Sequence, residues 1–249
     1  MNKKNYWTHG SGATTKALVS STLGSILSTA FKQGLIETNP MLRVAHHPSM
    51  PKSQSSPFSA TEVDQLLSID DEYKQFWIIM IGTMMRISEA MALRWSDVNM
   101  VQNYVSITKQ YHIVFGKPMI ESPKSESSIR DIYFGESVRN AFQVWKGQQL
   151  INGNADNDLV FPNSLGNMHN GQMFRKVLKE RLEHLDINPR RIHDLRSTGA
   201  TLASAQGIDI KSLHVQLGHS NIKTTLDYYN KPDKSTIAKE STKLDAVLG

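Results

Sequence analysis

Cysteine is absent from this sequence. Disulfide bridges and thiolate metal centres are thereby excluded, and a reducing, cytoplasmic setting is expected. No apolar run approaches the roughly 20 residues needed to span a bilayer, so no membrane association is expected. Lys3 and Lys4 are not followed by an apolar stretch, and no secretory signal is read there. No cluster of carboxylates suited to magnesium stands out, which makes a metal-dependent nuclease the poorest functional reading. Internal repeats and low-complexity tracts are also missing. Acidic residues are scarce in one region only: residues 1–59 carry Lys3, Lys4, Lys16, Lys32, Arg43 and Lys52 against Glu37 alone. The formal net charge of +5 therefore resides in that N-terminal arm, while the rest of the chain balances. A basic arm beside a neutral body suits an electrostatic clamp on a polyanion.

What is present is a helical pattern interrupted once by strands. A chain of 249 residues holds one large domain, or a domain with a smaller piece. Leu18, Leu23, Ile26, Leu27, Ala30 and Phe31 recur near helical spacing, and Gly34 with Pro40 beyond it stops that helix. Residues 46–57, with His46 and His47 at their start, are rich in proline and serine and read as a linker. Ser59-Ala60-Thr61-Glu62 forms a capping box, with Phe58 and Val63 placed as a hydrophobic staple, so the main domain begins at Phe58. Helices are predicted from residue 61, over 73–85, 88–94, 137–150 and 171–185, and from 193 onward. Alternation predicts strands over 104–108, 111–115 and 129–134, with Gly116-Lys117-Pro118 as a turn. The expected class is mainly α with one small antiparallel β-sheet (α+β).

The residues that carry chemistry lie in two groups. Arg86 sits in Met84-Met85-Arg86-Ile87-Ser88-Glu89. The second group runs from His193-Asp194-Leu195-Arg196 through Leu217-Gly218-His219 to Tyr228-Tyr229. Guanidinium forks hold phosphate oxygens at two points. A phenol becomes a covalent nucleophile toward phosphorus once its attack is assisted. An imidazole, titrating near neutrality, can accept the phenolic proton or donate to a phosphate oxygen. Such a set suits breaking a phosphodiester without a metal. His193 and Arg196, three residues apart on a helix, share one face. Glu89 and Asp194 read as orienting or capping carboxylates, and His169, His184 and His214 as surface or packing residues.

Taken in order, Arg86 with Glu89, Pro123-Lys124-Ser125, His193-x-x-Arg196, Leu217-Gly218-His219 and the terminal tyrosines resemble the tyrosine recombinases, or phage-type integrases. The resemblance implies that family's catalytic-domain fold. It further implies a site-specific recombinase that cuts one strand of double-stranded DNA, holds it as a 3′-phosphotyrosine and rejoins it to a partner strand. Neither a cofactor nor a metal is implied, and the active assembly would be a homo-oligomer on DNA, a tetramer in synapsis. Arg86 and Arg196 would clamp the phosphate, and Lys124 on a hairpin would protonate the departing 5′-oxygen, with Lys117 or Lys109 as other matches. His193 and His219 would complete the site. Tyr229 is assigned as nucleophile, ten residues after His219, with Tyr228 the alternative.

By the same resemblance, residues 1–45 match the end of a helical core-DNA-binding domain, 58–231 the catalytic domain, and 232–249 a tail possibly exchanged between protomers. Met84-Met85 stands where the family commonly has Gly-Leu, Ser197 where histidine is frequent, and Asn230-Lys231 departs after the tyrosine. A type IB topoisomerase and a DNA-binding remnant without catalysis are the alternatives.

Overall fold

The first helix ends where glycine first permits a left-handed turn. Helix α1 (Ala13–Lys32) closes at Gly34, φ 71°, as the Gly34 N–H bonds Phe31 O and the Leu35 N–H reaches back to Ala30 O at 2.9 Å. Asn39 then caps the short turn Pro40–Arg43, accepting from the Met41 N–H at 3.0 Å and donating to Ser28 Oγ at 3.2 Å. Leu18, Leu23, Ile26 and Phe31, whose spacing predicts the helix, remain exposed. The computed structural model describes residues 13–44, 57–115, 117–122, 126–153 and 157–226. Lys124, Tyr228, Tyr229, the tail and most of the 46–57 linker lie outside them. Backbone contacts divide the chain into Met1–Gln54 and Ser55–Gly249.

The second unit opens with the expected reciprocal cap. Ser59 Oγ accepts from the Glu62 N–H, Glu62 Oε2 accepts from the Ser59 N–H at 2.8 Å, and α2 (Ala60–Ser68) follows. Helix α3 (Lys74–Thr83) is apolar on all sides and forms the centre of the core, with Phe76, Trp77, Ile79 and Met80 buried. The next helix, α4 (Ile87–Ala90), is shorter than the predicted 88–94. Beyond it Arg94 bridges Leu159 in strand fashion and the Val160 N–H bonds Leu93 O, so extended pairing replaces further helix.

Strands β1 (Val98–Asn99), β2 (Tyr104–Ile107) and β5 (Arg130–Tyr133) form one antiparallel sheet in the order β1-β2-β5. Between them, β3 (Gln110–Val114) and β4 (Lys117–Glu121) make a separate hairpin, with Val114 opposite Lys117. The expectation of a single sheet is thus corrected to two, and residues 117–118, read as a turn, begin a strand. Among the described residues each strand of that pair is hydrogen-bonded along one edge only, which suits Pro118, a residue without a backbone donor. Alternation in β5 turns Arg130 and Ile132 inward, opposite Ile107 and Val105 of β2.

Four helices complete the core and one short helix follows the last of them. In α5 (Glu136–Ile151), Val138, Ala141 and Phe142 are buried; in α6 (Gln172–His184), Phe174 stacks on Phe76 at 3.7 Å between centroids. Helix α7 (Ile192–Ala205) packs on α3, α8 (Ile210–Leu217) packs on α7 and β5, and α9 (Ile222–Leu226) packs on α8. Thr198 of α7 ties the domain's start to this layer by accepting from the Phe58 N–H at 2.9 Å. The α3–α7 crossing is close because Gly199 has no side chain: a Cβ there would overlap the Ile81 carbonyl. Gly199→Ala should therefore destabilise the domain by about 1–3 kcal/mol, overriding the roughly 0.5–1 kcal/mol that alanine gains in a helix. Urea denaturation checks this as a lowered midpoint with unchanged slope.

Candidate active site

The site is assembled around the C-terminal end of α8. Asp209 opens that helix by accepting from the Lys211 and Ser212 N–H groups, and Gly218 closes it in the left-handed region, φ 60° and ψ 45°. A helix end leaves its last carbonyls without intrahelical donors and carries partial negative charge. Here guanidinium groups from three other elements supply the donors. Arg130 Nε donates to Gln216 O at 2.7 Å, Arg196 Nη2 to Leu217 O, and Arg86 Nη2 to Gly218 O at 3.3 Å. Three consecutive carbonyls thus hold three arginines. Glycine is required at 218 for its positive φ and for space, since a Cβ there would lie 2.7 Å from Arg130 Cδ.

Each arginine is also fixed from behind. Arg86 lies just beyond α3, after Met84 turns the chain through φ 54°. That left-handed residue occupies the place where the resembling family commonly has glycine, which adopts this conformation at lower cost. The backbone N–H of Arg86 and its Nη1 both donate to Glu89, each at 2.7 Å. Glu89 is 2% exposed and receives a second guanidinium, Arg130 Nη1 and Nη2 at 3.0 and 3.1 Å, in a two-point fork. Burial alone would raise its carboxyl pKa, but the hydrogen bonds and charge of Arg130, then those of Arg86, outweigh it and hold the group below its ordinary value. Arg196, projecting from α7, is 1% exposed and donates from Nη1 to Met84 O at 2.7 Å.

The imidazoles border this cluster. His193 stands at the solvent edge one turn before Arg196, and α7 starts there because Asp194 caps it, accepting from the Arg191 N–H at 2.8 Å. Desolvation and then the Arg196 charge lower the His193 pKa, against an opposing effect of Asp194. His219 follows Gly218, and desolvation, Arg196 and Arg86 push its pKa down to about 4. It is therefore neutral at pH 7. Its Nδ1 lies 3.0 Å from Thr225 Oγ1 of α9.

The structure thus brings Arg86, Arg196, His193 and His219 to one place; Lys124, Tyr228 and Tyr229 lie outside the described residues. Glu89 orients Arg86 and Asp194 caps α7, as read from the sequence. Two participants escaped sequence reading. Arg130 was seen only as part of a strand, although an arginine on the inward face of an alternating strand signals a buried charge needing a partner. His214, read as surface or packing, bonds Thr225 at 3.0 Å. The arrangement presents fixed cations to a shared point, the requirement for stabilising negative charge that develops during reaction.

Two measurements probe this organisation. Glu89→Ala should cost about 3–5 kcal/mol in chemical denaturation, because it leaves Arg130 buried without its carboxylate. His219 titrates near 4 when folded and about 6.5 when unfolded, so the unfolded state takes up the proton first. Its contribution to stability is complete above pH 6.5 and is lost as pH falls toward 4. Melting curves across that window should show a smaller acid loss in His219→Gln than in the wild type.

Comparison with known proteins places these features in context. The ICEBs1 integrase of Bacillus subtilis is 25% identical over 252 residues, covering 92% of this chain and 65% of that protein. The chain therefore spans just under two thirds of that relative's length. Tyrosine recombinase XerC of the same organism is 27% identical over 223 residues, covering 84% of this chain and 67% of XerC. Among solved structures, the Tn1549 transposon integrase in complex with a circular intermediate DNA superposes with a TM-score of 0.73 at 22% identity, covering 91% of this chain and 78% of that one. A lambda integrase tetramer bound to a Holliday junction gives 0.61 at 17% identity, covering 88% and 61%. The model of the phage integrase family matches residues 58–236. With its mainly helical fold and convergent arginines, the chain belongs to the phage integrase family.

Proposed function

We propose that this chain carries the catalytic part of a site-specific DNA recombinase that integrates and excises a mobile element. The observation that supports this reading most is the convergence of Arg86 and Arg196 on adjacent carbonyls of the turn that presents His219. Two guanidiniums there, Arg86 and Arg130, share the single carboxylate of Glu89, which leaves positive charge for a phosphodiester to neutralise. The relatives include integrases of a phage and of ICEBs1 as well as XerC recombinases, and several structural neighbours were solved with DNA, one as a tetramer.

In the proposed reaction the phenolic oxygen of Tyr229, or of its neighbour Tyr228, attacks phosphorus. The new P–O bond makes a 3′-phosphotyrosine, and the bond to the 5′-oxygen breaks. Neutral His193 takes the phenolic proton, while Lys124 supplies a proton to the departing 5′-oxygen. Arg86 and Arg196 hold the nonbridging oxygens, whose charge rises in the transition state. Rejoining reverses these steps with the 5′-hydroxyl of a partner strand. Phosphodiester energy is kept in the covalent link, so no nucleotide cofactor enters. Residues 58–231 form the catalytic domain in this reading, and the oligomer on DNA is a tetramer acting in the cytoplasm.

The test uses nicked suicide duplexes tiled across the genomic DNA flanking the coding sequence, incubated in EDTA. Wild-type protein should form a DNA adduct that survives denaturing gels, and either Tyr229→Phe or Tyr228→Phe, but not both, should abolish it. Adduct formation by both variants overturns the nucleophile assignment. Binding without any adduct from the wild type overturns the recombinase reading. Relaxation of supercoiled DNA at no defined site would instead indicate a topoisomerase.

A further inference from the structure

Thr225 has no part in the reaction just described, yet its buried hydroxyl lies between two imidazoles. Thr225 Oγ1 is 3.0 Å from His214 Nδ1 and 3.0 Å from His219 Nδ1. The residue is 0% exposed. A hydroxyl carries one hydrogen and can donate it to one ring at most, so at least one of the two rings must donate to the hydroxyl. Both contacts use Nδ1. At least one imidazole therefore bears hydrogen at Nδ1, and the other can present a lone pair there.

We propose that the chain runs from His214 Nδ1–H to the Thr225 oxygen and from the Thr225 hydroxyl to His219 Nδ1, which fixes His219 as the tautomer with hydrogen on Nε2. His214 and Thr225 are then positioning residues: they make His219 a hydrogen-bond donor toward a phosphoryl oxygen. The inference rests on the phosphotransfer reading above. The direction follows from the chemistry of the two rings. His219 stays singly protonated beside Arg196, Arg86 and Arg130, so its one hydrogen can sit on only one nitrogen. Were that hydrogen on Nδ1, Nε2 would turn a lone pair toward the oxygens of an anionic substrate. His214 is half-buried in the last turn of α8, where exchange with water lets it carry hydrogen at Nδ1. Thr225 also lies in α9, so the same bond ties that helix to the ring.

Long-range proton–nitrogen NMR on histidine-labelled protein reads the tautomer directly, with His219→Gln assigning the ring. The wild type should show hydrogen on Nε2 of His219 at pH 7.5. Thr225→Ser, which keeps the hydroxyl, and His214→Asn, whose amide N–H stands near the lost Nδ1–H, should preserve it. Thr225→Val and His214→Leu should give a tautomer mixture and slow adduct formation about tenfold or more, the scale of losing an oriented donor. Should Thr225→Val not fold by circular dichroism, His214→Leu, at a half-exposed site, carries the comparison. Hydrogen on Nδ1 in the wild type overturns the proposed direction. An unchanged tautomer and unchanged rate in Thr225→Val or His214→Leu overturns the positioning role. An inactive wild type would count against the recombinase reading while the NMR still decides the tautomer.

Discussion

Glu89 is the constraint around which the site is built. One carboxylate, almost wholly buried, binds a guanidinium from its own helix cap and another from the start of an edge strand. Arg130 could not be buried so deeply without it, since an unpaired charge in a protein interior costs several kcal/mol. The same arginines then reach forward to the end of α8. A helix-capping interaction, a strand and a helix terminus are thereby locked into one register. Arg196 joins them through the adjacent carbonyl, carried by α7, whose approach to α3 depends on Gly199.

Local features of this arrangement were legible in the sequence. The Ser59 capping box, the Gly34 helix stop, the Arg86–Glu89 pair and the Asp194 cap are all made within a few residues, so spacing alone reveals them. The grouping of Arg86, Arg196, His193 and His219 was legible for another reason, an ordered series of short motifs resembling a known family. What stayed hidden depends on distance along the chain. Arg130 meets Glu89 across 41 residues and Gln216 across 86, and no periodicity encodes such a pairing. Strand β4 was missed because Pro118 mimics a turn signal, whereas the pairing with β3 decides its conformation. Helix α4 stops early because Arg94 is claimed by Leu159, far away in sequence.

Met84 shows how a departure from a family pattern can be accommodated. It takes a left-handed conformation that glycine would adopt more readily, yet its side chain is 5% exposed and packs with Ala200, Leu213 and Leu217. Apolar burial of that size is worth about 1.5–3 kcal/mol, against a conformational penalty of about 1–2 kcal/mol. Packing beneath the Arg196 carbonyl partner therefore compensates for the backbone.

The three cations in this cradle share a property beyond their geometry. A guanidinium does not lose its proton under any condition in which a protein is folded. The positive charge of the cluster is thus constant from mildly acidic to alkaline surroundings, and whatever responsiveness to acidity the described centre possesses is delegated to its imidazoles. Lysines in the same places would have made grip and chemistry vary together; arginine separates them.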